Sequence, residues 1–132
     1  IHFTRFEFSQ RLDAPVGHVP PCDIPKSCGI IEGVRIAAMA SAFRIPVHAH
    51  SSATGLNHAA TLHFLAATEN AGYFEACVSK FNPFRDMFGS TFAIGADGCV
   101  EPPKGHGIGI EVDESIFEKY PMVDGPGYVV KF

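Results

Sequence analysis

Ile45-Pro46-Val47-His48-Ala49-His50-Ser51-Ser52, continuing through Asn57-His58-Ala59-Ala60-Thr61-Leu62-His63-Phe64-Leu65-Ala66-Ala67-Thr68 to Tyr73-Phe74-Glu75-Ala76-Cys77-Val78, is the stretch on which the fold turns. Ile45 to Ala49 is short, apolar and bounded by Pro46 and polar residues, which predicts a buried strand. Asn57 can cap a helix over His58 to Thr68, with Leu62, Leu65 and Ala66 as its buried stripe. Tyr73 to Val78 is aromatic and β-branched and predicts a second strand. Strand, helix and strand joined by short connections imply a parallel pair, because a parallel crossover needs the intervening helix.

Upstream, the same alternation continues. Ile31 to Phe43 is rich in Ala and Ile, with apolar positions at Ile31, Val34, Ala38 and Phe43 behind a permissive Gly29, and predicts a helix. Val16 to Cys22 predicts a strand whose end is distorted by Pro20 and Pro21, since proline cannot donate to a ladder. Thr4 and Glu7 form a capping box flanked by Phe3 and Phe8, so a helix should run to about Leu12. The expected class is therefore α/β, with three parallel strands and intervening helices, part of a barrel or a doubly wound sheet. Three strands cannot close a barrel. Beyond Ser79 the chain turns to Pro- and Gly-rich loops, with Asp97-Gly98 as a turn, Gly105 to Gly109 as a corner and a short helix around Glu114 to Tyr120. Residues 1–79 are expected to be the last βα units of a barrel, and residues 80–132 a tail that adds no strand and wraps over something else. The chain opens on Ile1, without Met and directly at a helix start, as a fragment entered in mid-domain would.

Composition narrows the classes. With 132 residues, 46% of them hydrophobic, the chain can bury one core and is not compositionally disordered. A net charge of -4, with ten Lys and Arg scattered along the sequence, argues against nucleic acid as a partner. The apolar runs fall short of the roughly 20 residues a membrane helix needs, so no membrane partner and a soluble, cytoplasmic protein are expected. Cys22, Cys28, Cys77 and Cys99 show neither a Cys-x-x-Cys pair nor zinc-type spacing. Reduced thiols are expected, with Cys77 buried in its apolar run. Nucleotide-binding glycine loops and a Gly-x-Ser-x-Gly elbow are missing from the sequence.

In parallel α/β folds the chemistry sits at the C-terminal ends of strands. Asp23, His50 and Glu75 meet that condition. A carboxylate beside a histidine fixes its tautomer and stabilises the imidazolium, so Asp23 and His50 could form a dyad. The bland alternative makes Asp23 a turn cap and His50 an ordinary loop histidine. Glu75, between Phe74 and Ala76, needs either a partner or its own proton if buried, and is otherwise a strand-edge solvent contact. His48 and His50 alternate onto one face and could bind a divalent metal as in zinc hydrolases. His63 is expected at the edge of the core. Ser51 and Ser52, followed by Gly55, make a loop that could hold a substrate carboxylate.

Taken together these motifs resemble the mandelate racemase/muconate lactonizing enzyme family of the enolase superfamily, most of all its acid-sugar dehydratases. Cys22-Asp23-Ile24-Pro25-Lys26-Ser27-Cys28-Gly29-Ile30-Ile31-Glu32 is similar to that family's Q-P-D-x-x-x-x-G-G-x-T-E segment. Ile45-Pro46-Val47-His48-Ala49-His50 resembles its I-P-V-x-x-H strand, Tyr73-Phe74-Glu75 its apolar residue followed by Glu, and Gly107-Ile108-Gly109-Ile110 its closing G-x-G-[IV] segment. The resemblance spans nearly the whole chain. It implies the C-terminal part of a (β/α)7β barrel, with the tail packing on a capping domain.

The same resemblance implies that Asp23 and His50 are the dyad, that His50 is the base, and that Glu75 donates a hydrogen bond to the developing enediolate. It implies magnesium, held by carboxylates that lie upstream of Ile1, so the chain itself is expected to supply no metal ligand; the last of those ligands, a Glu in a Gly-Glu pair, would fall immediately before Ile1. It further implies a small sugar acid as substrate and a homo-oligomer when intact. Dehydration of a sugar acid is the leading expectation. Racemisation or epimerisation of a 2-hydroxy acid, a His-x-His metal hydrolase and a non-catalytic barrel piece are the alternatives, and 132 residues alone are expected to be inactive. The sequence departs from the family pattern where Pro21-Cys22 stands for Gln-Pro and where Cys28-Gly29 stands for paired glycines.

Overall fold

The structure is a computed structural model that describes residues 3–12, 21–88, 92–122 and 124–125. Its elements run α1 (Arg5–Leu12), β1 (Cys22–Asp23), α2 (Ile30–Ala42), β2 (Val47–Ser51), α3 (Gly55–Ala66), β3 (Ala71–Ala76), α4 (Pro83–Asp86) and α5 (Ser115–Lys119). The three strands form one sheet in the order β1-β2-β3, parallel throughout. Each neighbouring pair is joined by one helix, the repeating unit of a barrel wall.

The sheet has one covered and one open face. Val47, Ala49 and Ser51 are buried while His48 and His50 are half-buried, the period-two alternation of a strand with helices on one side. On the covered side Val47, Ala49 and Cys22 pack with Ile24, Ile36, Ala37, Ala40, Phe64 and Phe8 into a single core. Gly33 lets α2 approach this core closely, since a Cβ there would lie 2.8 Å from Ile24 Cδ1 and 3.2 Å from the Phe64 ring. Glu32 ties α1 to α2: its carboxylate accepts from the Arg5 backbone N–H at 3.0 Å and pairs with Arg5 Nη1 at 2.7 Å and Arg35 Nη1 at 3.3 Å. These bonds, the Arg5 backbone donor foremost, hold Glu32 below the ordinary carboxylate range.

Several expected boundaries shift. The predicted first strand, Val16 to Cys22, lies mostly outside the described residues, and the strand described there is Cys22–Asp23. Ile1, where the sequence suggested an entry in mid-domain, also lies outside the described residues, and the described part of the first helix starts at Arg5. Strand β2 extends through His50 to Ser51, whereas β3 begins and ends two residues before the predicted Tyr73–Val78. Helix α3 is capped by Thr54, whose side chain accepts from the Asn57 N–H at 3.3 Å, so Asn57 sits inside the first turn instead of before it. Asn57 Oδ1 accepts from the Thr61 hydroxyl at 3.1 Å, which uses the side chain that sequence reasoning assigned to the cap. On α2 the covered positions are Glu32, Gly33, Ile36, Ala37 and Ala40, whereas Ile31 and Val34, and Phe43 just past its end, are exposed.

After β3 the chain leaves the sheet. Cys77 is half-exposed and hydrogen-bonded, which corrects the expectation of a buried thiol. Asn82 caps the short α4, and Arg85 reaches back to the carbonyls of Cys77 and Ser79, both at 2.9 Å. Asp97-Gly98 forms the expected turn, closed by a lone antiparallel bridge between Ile94 and Val100. Among the described residues the tail adds no strand to the parallel sheet.

Candidate active site

The open face of the sheet brings three expected residues into one row. Asp23 pairs in register with His50, and His50 pairs in register with Glu75, so the three Cα atoms stand at the same level on adjacent strands. Register partners in a parallel sheet present their side chains to the same face. That face is the one turned away from the helices.

The contacts within the row differ from the expected dyad. His50 Nδ1 lies 3.1 Å from Glu75 Oε2. Asp23 instead accepts at Oδ2 from Lys26 Nζ at 2.7 Å and at Oδ1 from the Lys26 backbone N–H at 3.4 Å. Among the described residues no hydrogen bond joins Asp23 to His50. The reason is local: the tight loop after β1, pinned by Ser27 N–H to Asp23 O at 2.7 Å, folds Lys26 back over the Asp23 carboxylate. Sequence reasoning passed over Lys26; an Asp followed three residues later by Lys at a strand end is the signal that could have found it.

For Glu75 two expectations stood side by side, a buried carboxyl with a partner or its own proton and a strand-edge solvent contact. Its side chain is 59% exposed and has the His50 imidazole as its partner. Apolar neighbours in sequence do not bury it, because Phe74 and Ala76 alternate to the other side of the strand. Phe74 packs edge-on against the rings of His58 and Phe92 on the covered side.

The remaining candidates scatter. Ser51 is 2% exposed and alternates to the helix side, so its hydroxyl is not presented on the face that carries His50. Ser52 is exposed in the loop beyond the strand. His48 shares the open face with His50, but its ring stacks on Tyr73 and its Nδ1 accepts the Tyr73 N–H at 2.9 Å. Among the described residues no three His, Cys, Asp or Glu side chains converge as a metal-binding group, so the His48 and His50 pair gains no third ligand. His63, half-buried, contacts the Ile108 carbonyl at 3.2 Å and fastens the tail to α3. His58, passed over in the sequence, is fully buried beside Phe74 and Phe92, and burial pushes it below the usual imidazole range.

Just past β3 a polarised thiol lies near this end of the sheet. Cys77 Sγ meets the Ser79 hydroxyl at 3.3 Å and accepts from Asn82 Nδ2 at 3.3 Å, and the Ser79 contacts foremost bring the thiol down to about 7. Asp97 has the opposite effect on the exposed Cys99, pushing it up. Since the thiolate is the reactive form, alkylation of Cys77 by iodoacetamide should reach half its limiting rate near pH 7, and Cys99 should lag well behind. Mass spectrometry of peptides quenched across a pH series reads both. A Cys77 midpoint at or above the ordinary value of about 8.5 would mean that the Ser79 and Asn82 contacts do not act on the thiol.

A parallel three-strand wall with its polar row on the face away from the helices defines a segment of an α/β barrel. The profile of the enolase C-terminal domain-like family matches residues 2–116, and the chain belongs to that family. A crystal structure of an enolase superfamily member from Polaromonas sp. JS666 is 78% identical and superposes with a TM-score of 0.88, covering 98% of this chain and 34% of that one. A mandelate racemase/muconate lactonizing enzyme from Sulfitobacter sp. is 31% identical with a TM-score of 0.60, over 74% of this chain and 24% of that one. Among curated relatives, a D-galactonate dehydratase from Xanthomonas euvesicatoria pv. vesicatoria is 33% identical over 126 residues, covering 89% of this chain and 32% of the relative. A D-gluconate dehydratase from Thermoproteus tenax is 29% identical over 118 residues, covering 81% of this chain and 24% of the relative. The chain thus spans 24% to 32% of the length of these dehydratases. No helix among the described residues is long and apolar enough to cross a membrane.

Proposed function

We propose that this chain supplies the proton-transfer wall of an enzyme that removes the proton next to a substrate carboxylate, with a sugar acid as substrate and dehydration as the outcome. The observation that carries the reading is the single row of Asp23, His50 and Glu75 across three parallel strands. Similarity to dehydratases of gluconate and galactonate supports the substrate class.

His50 is the base. Glu75 at Nδ1 favours the tautomer with the proton on that nitrogen, which leaves the Nε2 lone pair for the substrate. Nε2 takes the proton from the carbon next to the carboxylate, and the electron pair moves into the enediolate. The imidazolium, stabilised by the Glu75 carboxylate, returns the proton to the departing β-hydroxyl. Water leaves, and the resulting enol becomes a 2-keto-3-deoxy acid. Asp23, held by Lys26, acts on His50 through the field of the row and not as its hydrogen-bond partner. Magnesium, which the family resemblance implies, finds no set of ligands among the described residues; bound, it would stabilise the negative charge that builds on the substrate carboxylate.

The test is an assay of the full-length polypeptide that contains this sequence, supplied with magnesium, against a panel of C5 and C6 aldonic acids. Formation of a 2-keto-3-deoxy acid, followed by semicarbazide absorbance, is the expected result. Inversion of the 2-hydroxy centre without loss of water would move the reading to racemisation, and hydrolysis of an ester or amide substrate would overturn it.

A further inference from the structure

The ladder between β2 and β3 contains an irregularity that decides which residue faces His50. Val47 pairs with Ala71 and Ala49 pairs with Phe74, so two steps along β2 match three along β3. One extra residue therefore sits in β3, at Gly72-Tyr73. Continued without it, the register would put Phe74 opposite His50. Glu75 would then face the helices beside Ser51, because a one-residue slip flips every side chain to the other face. With it, His50 pairs with Glu75 and Phe74 turns inward to His58 and Phe92.

A bulge leaves a backbone N–H without its ladder partner, and that group needs another acceptor. Here the Tyr73 N–H donates to His48 Nδ1 at 2.9 Å. The His48 ring lies flat on the Tyr73 ring, with centroids 5.3 Å apart and planes 11° apart. It also lies directly over Gly72, where a Cβ would overlap Nδ1 and Cε1. Glycine at 72 and an acceptor at 48 are thus two halves of one arrangement.

We propose that His48 is a positioning residue: its imidazole caps the β3 bulge and thereby sets Glu75 opposite His50. The catalytic consequence rests on the function proposed above, whereas the geometric claim stands without it. Accepting at Nδ1 requires the His48 proton on Nε2, the opposite tautomer to that favoured in His50 two residues away on the same strand. Asparagine offers its Oδ1 close to the place of Nδ1 and should replace His48; leucine fills similar space without an acceptor and should not.

The experiment uses the full-length polypeptide, with nitrogen-15 spectra of the imidazoles and amide exchange read together. His48 is expected as the Nε2–H tautomer and His50 as the Nδ1–H tautomer. In His48→Leu, Tyr73 amide exchange should accelerate at least about tenfold and the His50 Nδ1 signal should move toward that of a free imidazole, whereas His48→Asn should preserve both. Gly72→Ala should reproduce the leucine phenotype in the native background and lose much of its effect when combined with His48→Ala. A His48 proton on Nδ1 would overturn the proposal in the unmutated protein, even if no variant folded. So would unchanged Tyr73 exchange and an unchanged His50 signal in His48→Leu. Since none of these readings needs a substrate, absent dehydratase activity would count against the proposed function and leave the role of His48 to be judged separately.

Discussion

His50→Asn in the full-length polypeptide should lower kcat by about 10²–10⁴, the range that a positioned general acid or base contributes. Asparagine retains a polar side chain of similar reach but has no lone pair that accepts a proton at neutral pH. The fold should be indifferent, because His50 lies on the open face of β2 and outside the core cluster. Stability should therefore stay within about 0.5 kcal/mol, as for substitutions away from packed features. Metal affinity should also hold, since His50 belongs to no metal-binding group among the described residues. Turnover and urea denaturation on the same preparation check both halves. Activity within a few-fold of the native protein would remove His50 from the reaction. A parallel loss of stability and turnover would assign it a structural role.

The second large effect concerns the scaffold. Phe64→Ala should destabilise the fold by about 3–5 kcal/mol, the usual cost of truncating a buried aromatic. Phe64 is wholly buried in the cluster that joins α1, α2, α3 and the sheet. Its ring stands against Gly33, where there is no side chain to move into the vacated space. The site should suffer indirectly, because β2 is held in place by α2 and α3, whose packing Phe64 joins. Urea denaturation reads the effect as a lowered midpoint. A loss under about 1 kcal/mol would mean that this cluster is not the core on which the strands rest.

What could be read in advance, and what could not, follows from the range of the interactions. The strand-helix-strand order was legible because apolar periodicity is local. The row of Asp23, His50 and Glu75 was legible because strand ends in a parallel sheet fall at one level. Ser51 escaped because the strand runs two residues past Ala49, and that extension turns its hydroxyl to the helices. Between the two readings of Glu75 the sequence could not choose, because neighbours on a strand lie on opposite faces and Phe74 and Ala76 do not bury it. On α2, Ile31 at 71% exposed shows that apolar character alone does not say which face is covered within these residues. The partner of Asp23 depended on a loop that folds Lys26 back, and the β3 bulge on a contact between His48 and residues 24 and 25 positions away. Neither has a periodic signature.

Whether His50 removes the proton beside a substrate carboxylate can be read by isotope transfer. The full-length polypeptide, magnesium and a turned-over aldonic acid are incubated in deuterium oxide, and proton NMR follows the carbon atoms of substrate and product. Loss of the proton next to the carboxylate and one deuterium at the neighbouring carbon of the 2-keto-3-deoxy product are expected, with neither event in His50→Asn. Product formed by His50→Asn at the native rate with the same deuterium pattern would contradict that role of His50.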